Sequence, residues 1–143
     1  MRISEVIRRK GATVVTVSPE ATVTELLALL DEQNIGAVVV SADDGRTVSG
    51  IVTERDVVRR LHRTGPEVLG APVSEVMTAE VHTCVPEDEL EALARTMTEH
   101  RIRHLPVVVD GKLTAIVSIG DIVKHRIDEL QSERDSLVDY VSH

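Results

Sequence analysis

The sequence predicts an α/β (α+β) fold made of two copies of one unit, related by a pseudo-two-fold axis and followed by a long C-terminal helix. Three observations predict it. Residues 50–60 read GIVTERDVVRR and residues 115–125 read AIVSIGDIVKH, so one β-branched run, hydroxyl, aspartate and helical pattern is written twice. The stretch from Gly65-Pro66 to Gly70-Ala71-Pro72 reads as a linker between the copies. Gly and Pro are absent after Gly120, so the last helical pattern runs on unbroken.

The elements follow in order. Ile3 to Arg9 reads as a short helix with Ile3, Val6 and Ile7 on one side, ended by Gly11. Thr13 to Val17 is β-branched throughout and reads as a strand, stopped by Pro19. Thr22-Val23-Thr24-Glu25 matches a capping box, and Val23, Leu26, Leu27 and Leu30 follow at helical spacing. Ala37 to Val40 and Thr47 to Thr53 read as strands around the Asp43-Asp44-Gly45 turn, and Asp56 to His62 as a helix. The order then begins again. Ser74-Glu75-Val76-Met77 echoes Ser4-Glu5-Val6-Ile7, and a strand is expected at His82 to Pro86 and a helix from Leu90 to Met97. Val107-Val108-Val109 with Asp110-Gly111 repeats the strand and turn. The spacing is 70 residues from Ser4 to Ser74, 67 from Pro19 to Pro86 and 65 from Asp56 to Asp121. The domains expected are repeat one at 1–63, a linker at 64–73, repeat two at 74–126 and a helical extension at 127–143. Each copy is small for a self-sufficient core, so the two should share an interface, with both Thr/Ser-x-x-Asp phrases facing one inter-repeat cleft. In the tail, Val123, Leu130 and Leu137 recur every seven residues beside Ile127 and Val141, a stripe that could fold back onto its own domain but better fits an intersubunit contact and a homodimer.

Composition excludes several classes. Hydrophobic residues make up 42% and charged ones 28%, a globular balance. Trp and Phe are absent and Tyr140 is the one aromatic, so the core is aliphatic and no stacking platform for single-stranded nucleic acid exists. A net charge of −8 opposes a phosphate backbone, so nucleic acid is not expected as a partner. With Cys84 alone, no internal disulfide or cysteine metal cluster can form. Arg8, Arg9 and Lys10 interrupt any apolar run after Met1, and the longest apolar runs are too short for a bilayer. A soluble cytoplasmic protein with no membrane contact is expected.

Thr53 with Asp56, and Ser118 with Asp121, admit two readings. A hydroxyl residue three positions before an acid at a helix start is a capping box. Placed where a strand ends and a helix begins, the same pair also offers free N–H groups and a carboxylate that accepts from ribose hydroxyls. The cations Arg101, Arg103 and His104 suit phosphate. Repeat one has Asn34-Ile35-Gly36-Ala37 at that point, so the two sites cannot be equivalent. The Ser118 copy is expected to hold a phosphate-bearing ligand more firmly than the Thr53 copy. His100 and His104 lack a third ligand, so no metal site is expected. His62, His82, His125 and His143 are expected at the surface, and Cys84 in the core. Neither a GxGxxG nor a GxxxxGK[ST] phosphate cradle is present, nor any activated base, so the chain does not read as an enzyme.

The doubled phrase, Val76-Met77-Thr78, and RIRHLPVV followed by DGKLTAIVSIGDIVKH resemble the cystathionine-β-synthase (CBS) domain family. The chain looks like a small stand-alone prokaryotic CBS pair, or Bateman module, over residues 1–126. The resemblance implies a β-α-β-β-α core in each repeat, a disc-like dimer, and adenosine ligands between the repeats. AMP comes first among these, with ATP, ADP, NAD(H) or S-adenosylmethionine as other classes. It implies ribose and phosphate contacts at Thr53, Asp56, Ser118 and Asp121, and phosphate contacts at Arg103 and His104 with Arg101 beside them. Gly36 and Ala37 stand at the matching place in repeat one. Adenine contacts are implied near Thr16, Val81, Thr83 and Ile116. Two departures are plain: Ala115 replaces a usual glycine, and Gly36-Ala37 replaces the basic pair. The implied function is a non-catalytic, energy-sensing regulatory module with a regulated protein partner; the alternative is a dimeric structural or protein-interaction module with no nucleotide.

Overall fold

Helix α1 (Ile3–Lys10) opens the chain, followed by β1 (Thr16–Val17), α2 (Val23–Gln33), β2 (Ala37–Val40), β3 (Gly50–Thr53) and α3 (Glu54–Thr64). Two 3₁₀ turns, Pro66–Gly70 and Val73–Glu75, lead to α4 (Leu90–His100), β4 (His104–Val109), β5 (Lys112–Ser118) and α5 (Ile119–Ser142). The structure is a computed structural model that describes residues 1–11 and 13–142; the expectation for His143 lies outside them.

Local chemistry accounts for most boundaries. The Thr22 hydroxyl accepts from the Glu25 amide at 3.1 Å and Glu25 answers by accepting from the Thr22 amide at 3.3 Å, the capping box expected at α2. Helix α2 ends on Asn34 in the left-handed region (φ 52), and α4 ends at the same point of its repeat on Arg101 (φ 55). The β4–β5 hairpin turns on Asp110 and Gly111, both at positive φ (51 and 77), as a two-residue primed turn requires.

Strand β2 lies parallel to β1, with Thr16 opposite Val39, and antiparallel to β3, with Val38 opposite Val52. In repeat two, β4 and β5 pair from His104 opposite Ser118 to Val109 opposite Lys112. The strand expected at His82 to Pro86 reduces to a single bridge, Cys84 to Val107. Cys84 exchanges backbone bonds with Pro106 and Val108 at 3.0 and 2.9 Å. Pro106 has no N–H to return, and the Val85 amide turns instead to the Asp88 carboxylate at 2.9 Å.

Two aliphatic cores form, and they cross the order of the chain. Ile3 and Val6 of α1 are fully buried with Leu90, Leu93 and Met97 of α4, Leu105 and Val107 of β4, and Val117 and Ile122 of repeat two. Val68, Val73 and Val76, from the turns that follow α3, join Val23, Leu26 and Leu30 of α2 and Val38, Val40 and Val52 of repeat one. Repeat two thus takes the helix that opens repeat one, and repeat one takes the turns that lead into repeat two. The linker is packed rather than loose: the Val73 amide donates to Ala21 at 2.8 Å, and Ile51 and Thr78 exchange backbone bonds at 3.0 and 2.8 Å. Gly50 permits that approach, since a Cβ there would meet Met77 Sδ and the Thr78 carbonyl at 2.7 Å. Its counterpart Ala115 is buried in the core of repeat two.

His125 departs from its expected surface position. It is buried on the inner side of α5, and its Nδ1 has no hydrogen-bond partner among the described residues. From Val123 on, the other apolar residues of α5 are exposed, with Leu137 at 65% and Val141 at 81%. No helix among the described residues is long and apolar enough to cross a membrane.

Candidate functional site

A cavity of about 680 Å³ lies between the repeats, a volume suited to a nucleotide-sized molecule. One wall comes from repeat one: Gly36 after α2, Ile51 and Thr53 of β3, and Glu54, Arg55, Asp56, Val58 and Arg59 of α3. The opposite wall comes from the chain after the linker. Thr78, Glu80, Val81 and His82 precede α4, and Arg101, Ile102, Arg103 and His104 follow it.

The N-terminus of α3 sets the polar end. Its helical pattern begins where the β-branched run stops, so Thr53 becomes the cap and Asp56 the third residue. The Thr53 hydroxyl accepts from the Asp56 amide at 3.2 Å, while the Thr53 amide and hydroxyl donate to Asp56 Oδ2 at 2.9 and 3.1 Å. The capping reading of this phrase is therefore correct. None of these bonds uses Oδ1, so the cap does not exhaust the carboxylate, and one oxygen remains for a hydroxyl donor.

Repeat two copies the arrangement. The Ser118 amide donates to Asp121 Oδ2 at 2.9 Å, and the Asp121 amide donates to the Ser118 hydroxyl at 3.2 Å. The Ile119 amide donates to the Arg103 carbonyl at 2.8 Å, as the Glu54 amide does to the Gly36 carbonyl at 3.0 Å. But Ser118, Asp121 and Ile116 do not line the cavity, so the two phrases do not face one cleft. A pseudo-two-fold axis separates them. It also carries the loop after α4 across to α3, so Arg101, Arg103 and His104 stand with Thr53 and Asp56. The expected union of this cation cluster with the Ser118 copy is corrected accordingly. Thr16, Ala37 and Thr83 also lie outside the cavity lining, whereas Gly36 and Val81 are in it.

At Asp121 the space is differently used. Lys10, the last residue of α1, donates to Asp121 Oδ2 at 2.5 Å and to the Ile116 carbonyl at 2.8 Å. Burial opposes the charge on Asp121, but the hydrogen bonds from Lys10 and the Ser118 amide more than offset this and hold its pKa below the usual carboxylate value. His104 is shifted down, first by burial and then by the neighbouring charge of Lys10, with Asp121 opposing. It is therefore neutral at pH 7 and ready to take a proton if an anion arrives.

Sequence reasoning missed Arg55, Arg59, His82, Glu54 and Glu80. The first two stand four apart on one face of α3, on either side of Asp56 in the chain. That spacing was available as a signal. His82 stacks on His100 with ring centroids 4.6 Å apart, a contact that no local pattern announces. Four arginines face three carboxylates in the cavity, a local excess of positive charge in a chain of net charge −8. No group of three metal-ligating side chains exists among the described residues. Burial, then the Asp88 charge, pushes the Cys84 thiol up to about 12, which suits a core residue and not a nucleophile.

Comparison with known proteins agrees with this geometry. The CBS domain family model matches residues 3–63 and 73–128. A solved CBS-domain containing protein from Agrobacterium tumefaciens superposes with a TM-score of 0.84 at 41% identity, covering 88% of this chain and 99% of that one. A CBS domain-containing protein of Bacillus subtilis is 36% identical over 114 residues, 80% of this chain and 79% of the relative. A solved CBS domain pair in complex with 5-methylthioadenosine and S-adenosyl-L-methionine shares the fold at a TM-score of 0.78 and 21% identity, over 90% of this chain and 98% of that one.

Proposed function

Because the chain belongs to the CBS domain family, we propose that it is a non-catalytic regulatory module that binds an adenine nucleotide between its repeats. The observation that supports this most directly is the joint presence of Asp56, whose cap leaves Oδ1 unused, with Arg101, Arg103 and the protonatable His104 in one cavity. The carboxylate suits ribose hydroxyls, and the cations suit phosphate. Ile51, Val58 and Ile102 offer an aliphatic seat for adenine where no aromatic residue is available. Four arginines favour AMP, ADP, ATP or NAD(H) over the cationic sulfonium of S-adenosylmethionine, and the modest volume favours AMP. A ligand held by both repeats biases their relative arrangement, which is how binding becomes a signal to a partner protein. The exposed stripe of α5 supports a homodimer, and the cytoplasm is where such a nucleotide sensor would work.

Isothermal calorimetry with AMP, ATP, NADH and S-adenosylmethionine tests the reading. AMP should bind, and Arg103→Ala should weaken it by about tenfold or more, since a charge-assisted contact is worth about 1.5–3 kcal/mol. Asp56→Asn should weaken binding more than Asp121→Asn. Absence of heat with every ligand at millimolar concentration would leave only a structural dimerisation module.

A further inference from the structure

Helix α5 changes character at Leu130. Before that point it is held by the body of the protein, with Ile122 and His125 buried and Glu129 half-buried. From Leu130 to Ser142 every residue is exposed, a free helix about 20 Å long at 1.5 Å per residue. A helix of that length is marginal in water unless it packs on something. Leu130, Leu137, Val138 and Val141 share one face of it, with Glu133 and Asp135 a turn away on either side. Glu133, Asp135 and Asp139 outnumber Arg134, so the free segment is acidic.

Helix α3 shows the complement. Val58 is 62% exposed and Leu61 41%, and the exposed charges around them are Arg55, Arg59 and Arg63 against Glu54. Its 11 residues span about 16 Å, close to the free part of α5. Helix α1 also exposes cations, Arg8 and Arg9, but its Ile3 and Val6 are consumed by the core, so no apolar centre is left there.

We propose that the acidic end of α5 in one copy of the chain docks on the basic, apolar face of α3 in a second copy, which returns the same contact. The proposal rests on the homodimer reading and names the surfaces that form it. One two-fold axis closes such a pair and leaves nothing to propagate. Apolar burial supplies the affinity and charge selects the partner surface: exposed ion pairs add little, but like charges set together are strongly penalised. Packing α5 on α5 instead would set Glu133, Asp135 and Asp139 against their own kind. Arg55, Val58 and Arg59 also line the cavity, so the docked helix stands at its mouth.

Sedimentation equilibrium on the full, ligand-free chain tests this, with thermal denaturation to show that each variant is folded. Wild type should be a dimer. Arg55→Glu with Arg59→Glu should raise its dissociation constant by about a hundredfold. Glu133→Lys with Asp135→Lys should do the same. That second pair lies in the free segment, away from every core residue, so it tests the contact even where the first disturbs α3. All four changes on one chain restore complementary charge and should bring the dimer back to within about tenfold of wild type. Arg8→Glu with Arg9→Glu should leave the dimer unchanged. A monomeric wild type would sink the homodimer reading and this contact together. A dimer indifferent to both pairs, not rescued by the fourfold change, or broken by the α1 pair would keep the homodimer and overturn the contact.

Discussion

Arg101 offers a test that separates what the fold needs from what the cavity needs. It sits at the end of α4 with φ 55 and ψ 41, while Asn34, at the end of α2, holds φ 52 and ψ 49. A left-handed conformation costs an ordinary L-residue about 1–2 kcal/mol, and a short polar side chain recovers part of this by local hydrogen bonding. Arginine has one compensation: positive charge near a helix C-terminus is worth about 0.3–1 kcal/mol, at the low end when exposed. Arg101 is exposed, so the backbone effect wins. Arg101→Asn should stabilise the chain by roughly 0.5 kcal/mol, a rise in melting temperature of about 2 °C. The same change removes a cation from the cavity wall and should weaken AMP by about tenfold, the lower range for a charge-assisted contact. Thermal denaturation and calorimetry on the one variant read both numbers. A variant less stable than wild type would refute the conformational argument. A more stable variant with unchanged affinity would remove Arg101 from the phosphate site.

Other expectations follow from the exchanged segments and from the titrating groups. Ile3→Ala should cost about 2–5 kcal/mol, as truncations in a closed core do, and hydrogen exchange should show the loss in β4 and β5; a first loss in β2 and β3 would contradict the crossed cores. Stability should fall as pH drops below 6.5, because His104 is shifted down in the fold and the unfolded chain binds its proton more readily. A further fall should come below pH 3.8 as acid titrates Asp121, whose folded pKa is depressed. In Lys10→Ala this second fall should be smaller, because the folded pKa of Asp121 moves back toward its unfolded value without the Lys10 hydrogen bond, as chemical denaturation across the range would record.

Local patterns made most elements legible before any coordinates. The β2 strand, the α2 capping box and the unbroken α5 helix stand where sequence placed them, because each depends on residues within a few positions. The strand expected at His82 to Pro86 was not legible, since its loss depends on Pro106, a partner distant in sequence. The burial of His125 escaped for the same reason: helical spacing defines a face but does not say what covers it. The two-fold relation was legible from the repeated phrase, but which loop faces which helix was not. Spacing along the chain suggested that Arg103 and His104 serve the nearest hydroxyl–aspartate pair, and through the backbone they do, with His104 opposite Ser118 and the Arg103 carbonyl bonded to Ile119. Their cavity lies the other way.

Crossing of this kind explains why the duplicated phrase is ambiguous when read within one repeat. Thr53-x-x-Asp56 and Ser118-x-x-Asp121 build nearly superimposable caps, with amide-to-carboxylate distances of 2.9 Å in both. Whatever distinguishes them comes from elsewhere. The arginines that face Asp56 from the opposite wall belong to repeat two, and the ammonium that holds Asp121 belongs to the helix that opens repeat one. The charges around the two caps therefore differ mainly through segments that one half lends to the other. His104 stands at the junction of the two, lining the cavity with Asp56 while feeling the charges of both Lys10 and Asp121. An anion in the cavity raises the proton affinity of His104, and a protonated His104 adds positive charge beside Lys10.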